Sequence, residues 1–129
     1  EMGRGYGKSQ IMCLARMNGQ PVGVWGNDPK VLAGAMTADG ANKARRFMEL
    51  CEVFHLPIIC FVDEPGFMIG SQAEREATIR HGAAAVLTAA MTTVPWASVM
   101  IRRSFGVAQA AHYGPEGYVL AWPSAESGG

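Results

Sequence analysis

Residues 57–67 read PIICFVDEPGF. The first six are mostly apolar and lack polar alternation, which predicts a strand at 57–62 buried on both faces, as in a parallel sheet covered by helices. Two carboxylates, a proline and a glycine end it. Pro65 removes an amide and fixes one dihedral, while Gly66 lets the chain turn sharply. A few residues on, Ser71-Gln72-Ala73-Glu74 has the pattern of a capping box and predicts the start of a helix. A core strand that bends and restarts as a helix is the α/β signature.

Working outward, the same alternation recurs. Ala44, Phe47, Met48, Cys51 and Phe54 repeat at three- and four-residue spacing and predict a helix over 39–54, with Thr37 or Asp39 as its cap. Lys43, Arg45, Arg46, Glu49 and Glu52 fill its remaining positions. Upstream, QIMCLARM (10–17) and PVGVWG (21–26) flank Asn18-Gly19, a strong hairpin signal. The stretch between is loop, with a short strand at Val31-Leu32 as an option. Downstream, Ile79, Ala83, Val86, Leu87, Ala90 and Met91 are expected on the buried face of the second helix. WASVMI (96–101) and GYVLAW (117–122) read as further buried strands, and 106–113 as a short helix. The class is α/β with a mainly parallel sheet.

Composition excludes several functions. Eleven basic and eleven acidic residues leave no net charge, so there is no basic surface for nucleic acid or membrane. No apolar run reaches transmembrane length and no signal peptide is visible, which predicts a cytoplasmic protein. Cys13, Cys51 and Cys60 sit apart in apolar runs and are expected as buried thiols. His55, His81 and His112 have no metal-ligand spacing, so no metal site is expected and each reads as a packing or capping residue. The glycine-rich 1–7 stretch precedes a strand rather than a helix, unlike a phosphate loop. Neither end carries a clear capping element, as in a fragment or the ordered part of a longer chain.

Ligands of α/β folds gather beyond the C-terminal ends of parallel strands. Two such ends are unusual here: Asp63-Glu64-Pro65-Gly66-Phe67 and Arg102-Arg103-Ser104-Phe105-Gly106-Val107-Ala108. Each places glycine where amides can be left unpaired, and a pair of free amides can hold a developing oxyanion. A tight turn and close packing account for the same residues. Asp63 and Glu64 point opposite ways as neighbours on an extended chain. Arg102 and Arg103 could attract an anion at the sheet end, but one of them is expected simply to pair with Asp63 or Glu64.

In order, the stretches NGQPVGVWGNDP, AGAMTADGANKARRFMELCEVFHLPI, FVDEPGFMIGSQAEREATIRHGAAAV, TVPWASVMIRRSFG and LAWPSAE run through nearly the whole chain. On these the chain resembles the C-terminal domain of the carboxyltransferase subunits of biotin-dependent acyl-CoA carboxylases, nearest the propionyl-CoA carboxylase β-chain type. The resemblance implies a crotonase-like fold, a spiral of β-β-α units, over residues 1–129, with an N-terminal acyl-CoA-binding domain missing. It implies carboxyl transfer between carboxybiotin and the α-carbon of an acyl-CoA. Biotin is then carried on a separate protein or domain, a biotin carboxylase subunit is a further partner, and the site forms between protomers of a homo-oligomer. A mitochondrial matrix location becomes the counterpart of the cytoplasmic one.

The family pattern carries over residue by residue. The backbone amides of Gly66, Phe67, Gly106, Val107 and Ala108 become the oxyanion hole, and Pro65 and Phe105 join them around biotin. The chain departs from the pattern at Val107, where many members have a second glycine, and at Phe105, where tyrosine is usual. The valine side chain is expected to narrow the approach. A biotin-dependent decarboxylase on the same scaffold, or a silent assembly subunit, remain as alternative readings.

Overall fold

A computed structural model describes residues 1–67 and 70–128, with Gln72, Ala73 and Val107 described by their backbone alone. Strands β1 (Gln10–Met17) and β2 (Gln20–Asn27) form the predicted antiparallel hairpin around Asn18-Gly19. Helix α1 (Ala38–Val53) leads into β3 (Ile58–Glu64), and helix α2 (Gln72–Met91) into β4 (Trp96–Phe105). A 3-10 helix, Val107–His112, precedes β5 (Tyr118–Ala121) and β6 (Glu126–Gly128). The six strands make one sheet in the order β1-β2-β3-β4-β5, parallel from β2 onward, and β6 pairs with the far half of β4. The α/β class with a mainly parallel sheet is therefore observed. Among the described residues no helix is long and apolar enough to cross a membrane.

Helix α1 follows its periodicity. Thr37 caps it by accepting from the Gly40 amide, and Ala44, Phe47, Met48 and Cys51 are buried. Phe54, the fifth expected core residue, is 63% exposed because the helix ends one residue earlier. Lys43, expected at the surface, is buried and donates to the Gln10 carbonyl at 2.6 Å. In place of a strand at Val31-Leu32 there is a 3-10 turn, Leu32–Gly34.

Helix α2 starts as predicted, with Ser71 and Glu74 completing a capping box, but turns a largely different face inward: of the expected residues Val86 packs against the core, while Ala83 and Ala90 are exposed. Thr78, Gly82, Ala85 and Ala89 are buried, while Ile79, Leu87 and Met91 are 61, 61 and 69% exposed. Small side chains let α2 approach its neighbours closely, and this outweighs the burial of its three largest apolar groups.

Strand β3 alternates instead of burying both faces. Ile58, Cys60 and Val62 join the core with Trp25, Phe47 and Ala85, whereas Phe61 on the other face is 40% exposed. Strand β5, also expected in the core, is exposed along its whole length because it lies at the edge of the sheet. Of the three thiols, Cys51 and Cys60 are buried and Cys13 only partly.

Candidate active site

Strand β4 is longer than its partner needs. Val62 pairs with Met100 and Glu64 with Ser104, so β4 takes four steps while β3 takes two. The bulge holds Arg102 and Arg103. Both donate to Asp63: Arg102 through Nε and Nη2 at 3.2 and 3.0 Å, Arg103 through Nε at 2.9 Å. An arginine–carboxylate pairing was expected for one of them; both take part. Burial alone would push the Asp63 carboxyl up, but the hydrogen bonds and charges of Arg103 and Arg102 outweigh it and hold the carboxyl below its ordinary value.

The bulge brings the end of β4 beside the end of β3. Gly66 has φ +126° and Gly106 φ +68°, both in the region that favours glycine. A Cβ on Gly106 would stand 3.9 Å from the Gly66 Cα, and one on Gly66 would meet nothing within 4 Å. Of the predicted site residues, Pro65, Gly66 and Phe67 therefore share one locality with Gly106. Phe105 ends β4 with its ring against Gly128. Val107 and Ala108 open the 3-10 helix that follows. The Val107 side chain, expected to narrow the approach, lies outside the described residues.

The amides at these bends are not equivalent. Gly66 N–H donates to Glu64 Oε1 at 3.0 Å, and Gly106 N–H to the Gly128 carbonyl at 3.2 Å. Both have internal acceptors. Among the described residues no hydrogen bond is formed from the Phe67 amide. The amides of Val107 and Ala108 precede the first bond of the 3-10 helix, which runs from Gln109 N–H to the Gly106 carbonyl at 3.4 Å, so helical pairing does not use them.

Two supports went unread in the sequence. The Phe67 ring lies against Gly82 on the inner face of α2, where any Cβ would overlap it. Gly82 gave a usable signal, a lone glycine in a helical run. The second support is a buried polar network. Glu64 and His112 are both fully buried, with His112 Nε2 3.1 Å from Glu64 Oε2. Asn27 donates to Glu64 Oε2 at 2.9 Å, and the Met36 amide donates to Oε1 at 3.1 Å. The other ring nitrogen of His112 lies 3.3 Å from Cys60 Sγ, whose thiol is pushed well up by burial, with the nearby Glu64 charge adding to it. The Trp25 and His112 ring centroids are 4.3 Å apart. The reading of His112 as a packing residue holds, but its carboxylate partner was not foreseen. Among the described residues no cluster of three or more His, Cys, Asp or Glu side chains could hold a metal ion.

Such an arrangement offers main-chain donors at a glycine-lined gap rather than a titratable acid–base pair. Comparison with known proteins identifies the family. The family model described as "Carboxyl transferase domain" matches residues 1–128. The mitochondrial propionyl-CoA carboxylase beta chain of Homo sapiens is 41% identical over 126 residues, 94% of this chain and 23% of that one. The methylmalonyl-CoA decarboxylase subunit alpha of Propionigenium modestum is 38% identical over 124 residues, 94% of this chain and 24% of that one. The crystal structure of transcarboxylase 12S, a hexamer described with hydrolysed methylmalonyl-coenzyme A bound, superposes with a TM-score of 0.91 at 36% identity, covering 97% of this chain and 25% of that one. The chain thus spans about a quarter of the length of these relatives. The expected crotonase-like fold is the one observed. Matched across all but its last residue, the chain belongs to the carboxyl transferase domain family.

Proposed function

We propose that this domain serves the transfer of a carboxyl group between carboxybiotin and the α-carbon of an acyl-CoA. The observation that carries the reading is the convergence of the Gly66 and Gly106 bends, with the amides of Phe67 and Ala108 outside the regular pairing of sheet and helix. With glycine at both bends, no Cβ of residue 66 or 106 stands between them, which supports the approach of a flat, uncharged ring such as that of biotin. When bound, biotin would supply the carboxyl group and take up the α-proton of the acyl-CoA in exchange, so that no base is asked of the protein.

The chain's part is to hold and to orient. Of the predicted amides, Gly66 and Gly106 stabilise the bends themselves, and Phe67, Val107 and Ala108 face negative charge as it develops. Donors fixed before the reaction need no reorganisation, and removing one costs about 10²–10³ in kcat. Pro65 and Phe105 flank the gap. No general base is required of the protein, in keeping with the hydrogen bonds that already engage Asp63, Glu64 and His112.

The remaining partners follow from the same reading. The acyl-CoA is held largely by a second, N-terminal type of domain, biotin arrives on a carrier protein or domain, and a biotin carboxylase subunit recharges it. The exposed apolar side chains of α2 and β5 support association with further protein surface, and the reading takes that surface to be a homo-oligomer with the site between protomers. A cytoplasmic or mitochondrial matrix location is consistent with these partners.

The decarboxylase reading is favoured by the 38% identity to a methylmalonyl-CoA decarboxylase subunit. The same amides would serve it, with the carboxyl group moving from a malonyl-type thioester to biotin. The assembled enzyme, given free biotin and a panel of labelled acyl-CoAs and their carboxylated forms, separates these cases. Biotin-dependent label exchange supports the proposal. Net loss of the carboxyl group from the thioester alone supports the decarboxylase. A correctly assembled protein without either activity overturns both in favour of a silent subunit.

A further inference from the structure

We propose that Glu64 and His112 are positioning residues for carboxyl transfer, a strut that sets the separation of the two bends; the inference rests on the reading of the site given above. Glu64 is the last residue of β3, immediately before Pro65. Each of its carboxylate oxygens accepts two hydrogen bonds. Oε1 takes the amides of Gly66 and Met36 at 3.0 and 3.1 Å, and Oε2 takes Asn27 Nδ2 and His112 Nε2 at 2.9 and 3.1 Å. Met36 in turn donates its amide to the Gly66 carbonyl at 2.9 Å. One side of the carboxylate thus fixes the first bend from within.

Its other side reaches the second bend. His112 ends the 3-10 helix that begins just after Gly106. The His112 carbonyl accepts from Ser98 Oγ at 2.7 Å and Trp96 Nε1 at 3.0 Å, which anchors the end of that helix to β4. The tautomer that satisfies both ring contacts donates from Nε2 to Glu64 and accepts at Nδ1 from the Cys60 thiol. Glu64 and His112 therefore join the elements that carry Phe67 and Ala108.

Stability alone does not account for this arrangement. A fully buried carboxylate is expensive to desolvate, and well-packed apolar residues of the same volume often serve a core as well or better. What a satisfied polar network adds is a fixed geometry. Main-chain donors need that geometry, because a displacement of about 1 Å can cost on the order of a hundredfold in rate.

The test compares wild type, His112→Leu, His112→Gln and Glu64→Gln in the assembled enzyme. Leucine keeps volume without a donor, and glutamine at 112 restores a donor toward Glu64. In exchange with free biotin, His112→Leu is expected to lower kcat by about a hundredfold with the acyl-CoA KM unchanged, and His112→Gln to recover a large part of the loss. Hydrogen exchange in the same proteins without biotin gives a second readout. Peptides spanning 64–67 and 106–112 are expected to exchange faster in His112→Leu while the rest of α1 and α2 stays protected. A folded His112→Leu with wild-type kcat, or with unchanged exchange at both bends, overturns the strut. So does a parallel loss of kcat and acyl-CoA affinity without rescue by glutamine, which marks a merely structural role. If the leucine variant does not fold, Glu64→Gln decides: lowered kcat and faster exchange at 106–112 support the strut, and wild-type values reject it. A wild-type assembly without any biotin-dependent exchange, but with protected bends, removes the reading of the site itself, and the strut's catalytic role with it.

Discussion

The Gly66 and Gly106 bends lie within van der Waals reach of one another, since a Cβ on Gly106 would stand 3.9 Å from the Gly66 Cα. Both residues hold positive φ, so substitution there carries strain even where there is space for a Cβ. Gly106→Ala is expected to cost about 1–3 kcal/mol of stability and to reduce transfer beyond that loss. Gly66→Pro removes the amide held by Glu64 and cannot adopt φ +126°. It is expected to abolish transfer while carrier docking persists. Thermal unfolding, carrier pull-down and exchange assays on the two variants check this, and normal transfer by folded Gly66→Pro rejects the role of the bend.

Phe67 follows Gly66 because its ring has a seat on α2. Gly82→Ala places a methyl inside that ring, and overpacking of this kind typically costs about 1–3 kcal/mol. The ring must move, and the Phe67 amide with it. The expected result is a fall in kcat larger than the fall in melting temperature suggests. Pairing Gly82→Ala with Phe67→Leu should restore stability before activity, as measured by unfolding and exchange in parallel.

Acid stability should depend on Asp63. Its native carboxyl titrates below the ordinary value, so the unfolded chain binds this proton more readily. The native state therefore gains stability above the ordinary carboxylate range and loses it as pH falls through the lowered native value. Urea unfolding of Asp63→Asn should show a flatter loss between about pH 5 and pH 2 than wild type. Parallel curves for the two proteins would show that the arginine pairs do not set the acid limb.

The apolar face of α2 gives a prediction about assembly. Leu87 and Met91 are 61 and 69% exposed and contribute little to this domain's own core. Leu87→Lys with Met91→Lys is expected to leave the fold intact and to shift the oligomer toward smaller species in light scattering. Unchanged mass would place the protomer contacts elsewhere.

Element order was legible because hairpin, caps and strand runs are local signals. Asn18-Gly19, the Ser71–Glu74 box and the apolar runs each decide structure within a few residues. Burial was less legible because it is set by neighbours. The α2 face was misread since Ile79, Leu87 and Met91 point outward, and the inward stripe is built mainly on the small residues Thr78, Gly82, Ala85 and Ala89. For β5 the apolar run was right and the burial wrong, because an edge position is a property of the whole sheet. Strand β6 is three residues long and has no pattern of its own. The two bends could be located from proline, glycine and the family resemblance. Which amides are engaged could not, because the Gly128 carbonyl reaches the Gly106 amide from far along the chain and the Glu64 side chain folds back onto the Gly66 amide of its own bend.

Strand β5 carries a further consequence. Among the described residues, Tyr118, Val119 and Leu120 lie on an outermost ladder that pairs on one side alone, with β4. Such a border templates the addition of another extended segment. Produced alone, this polypeptide should therefore be prone to stack edge to edge and precipitate, and its solubility becomes a readout of whether its natural neighbours are in place.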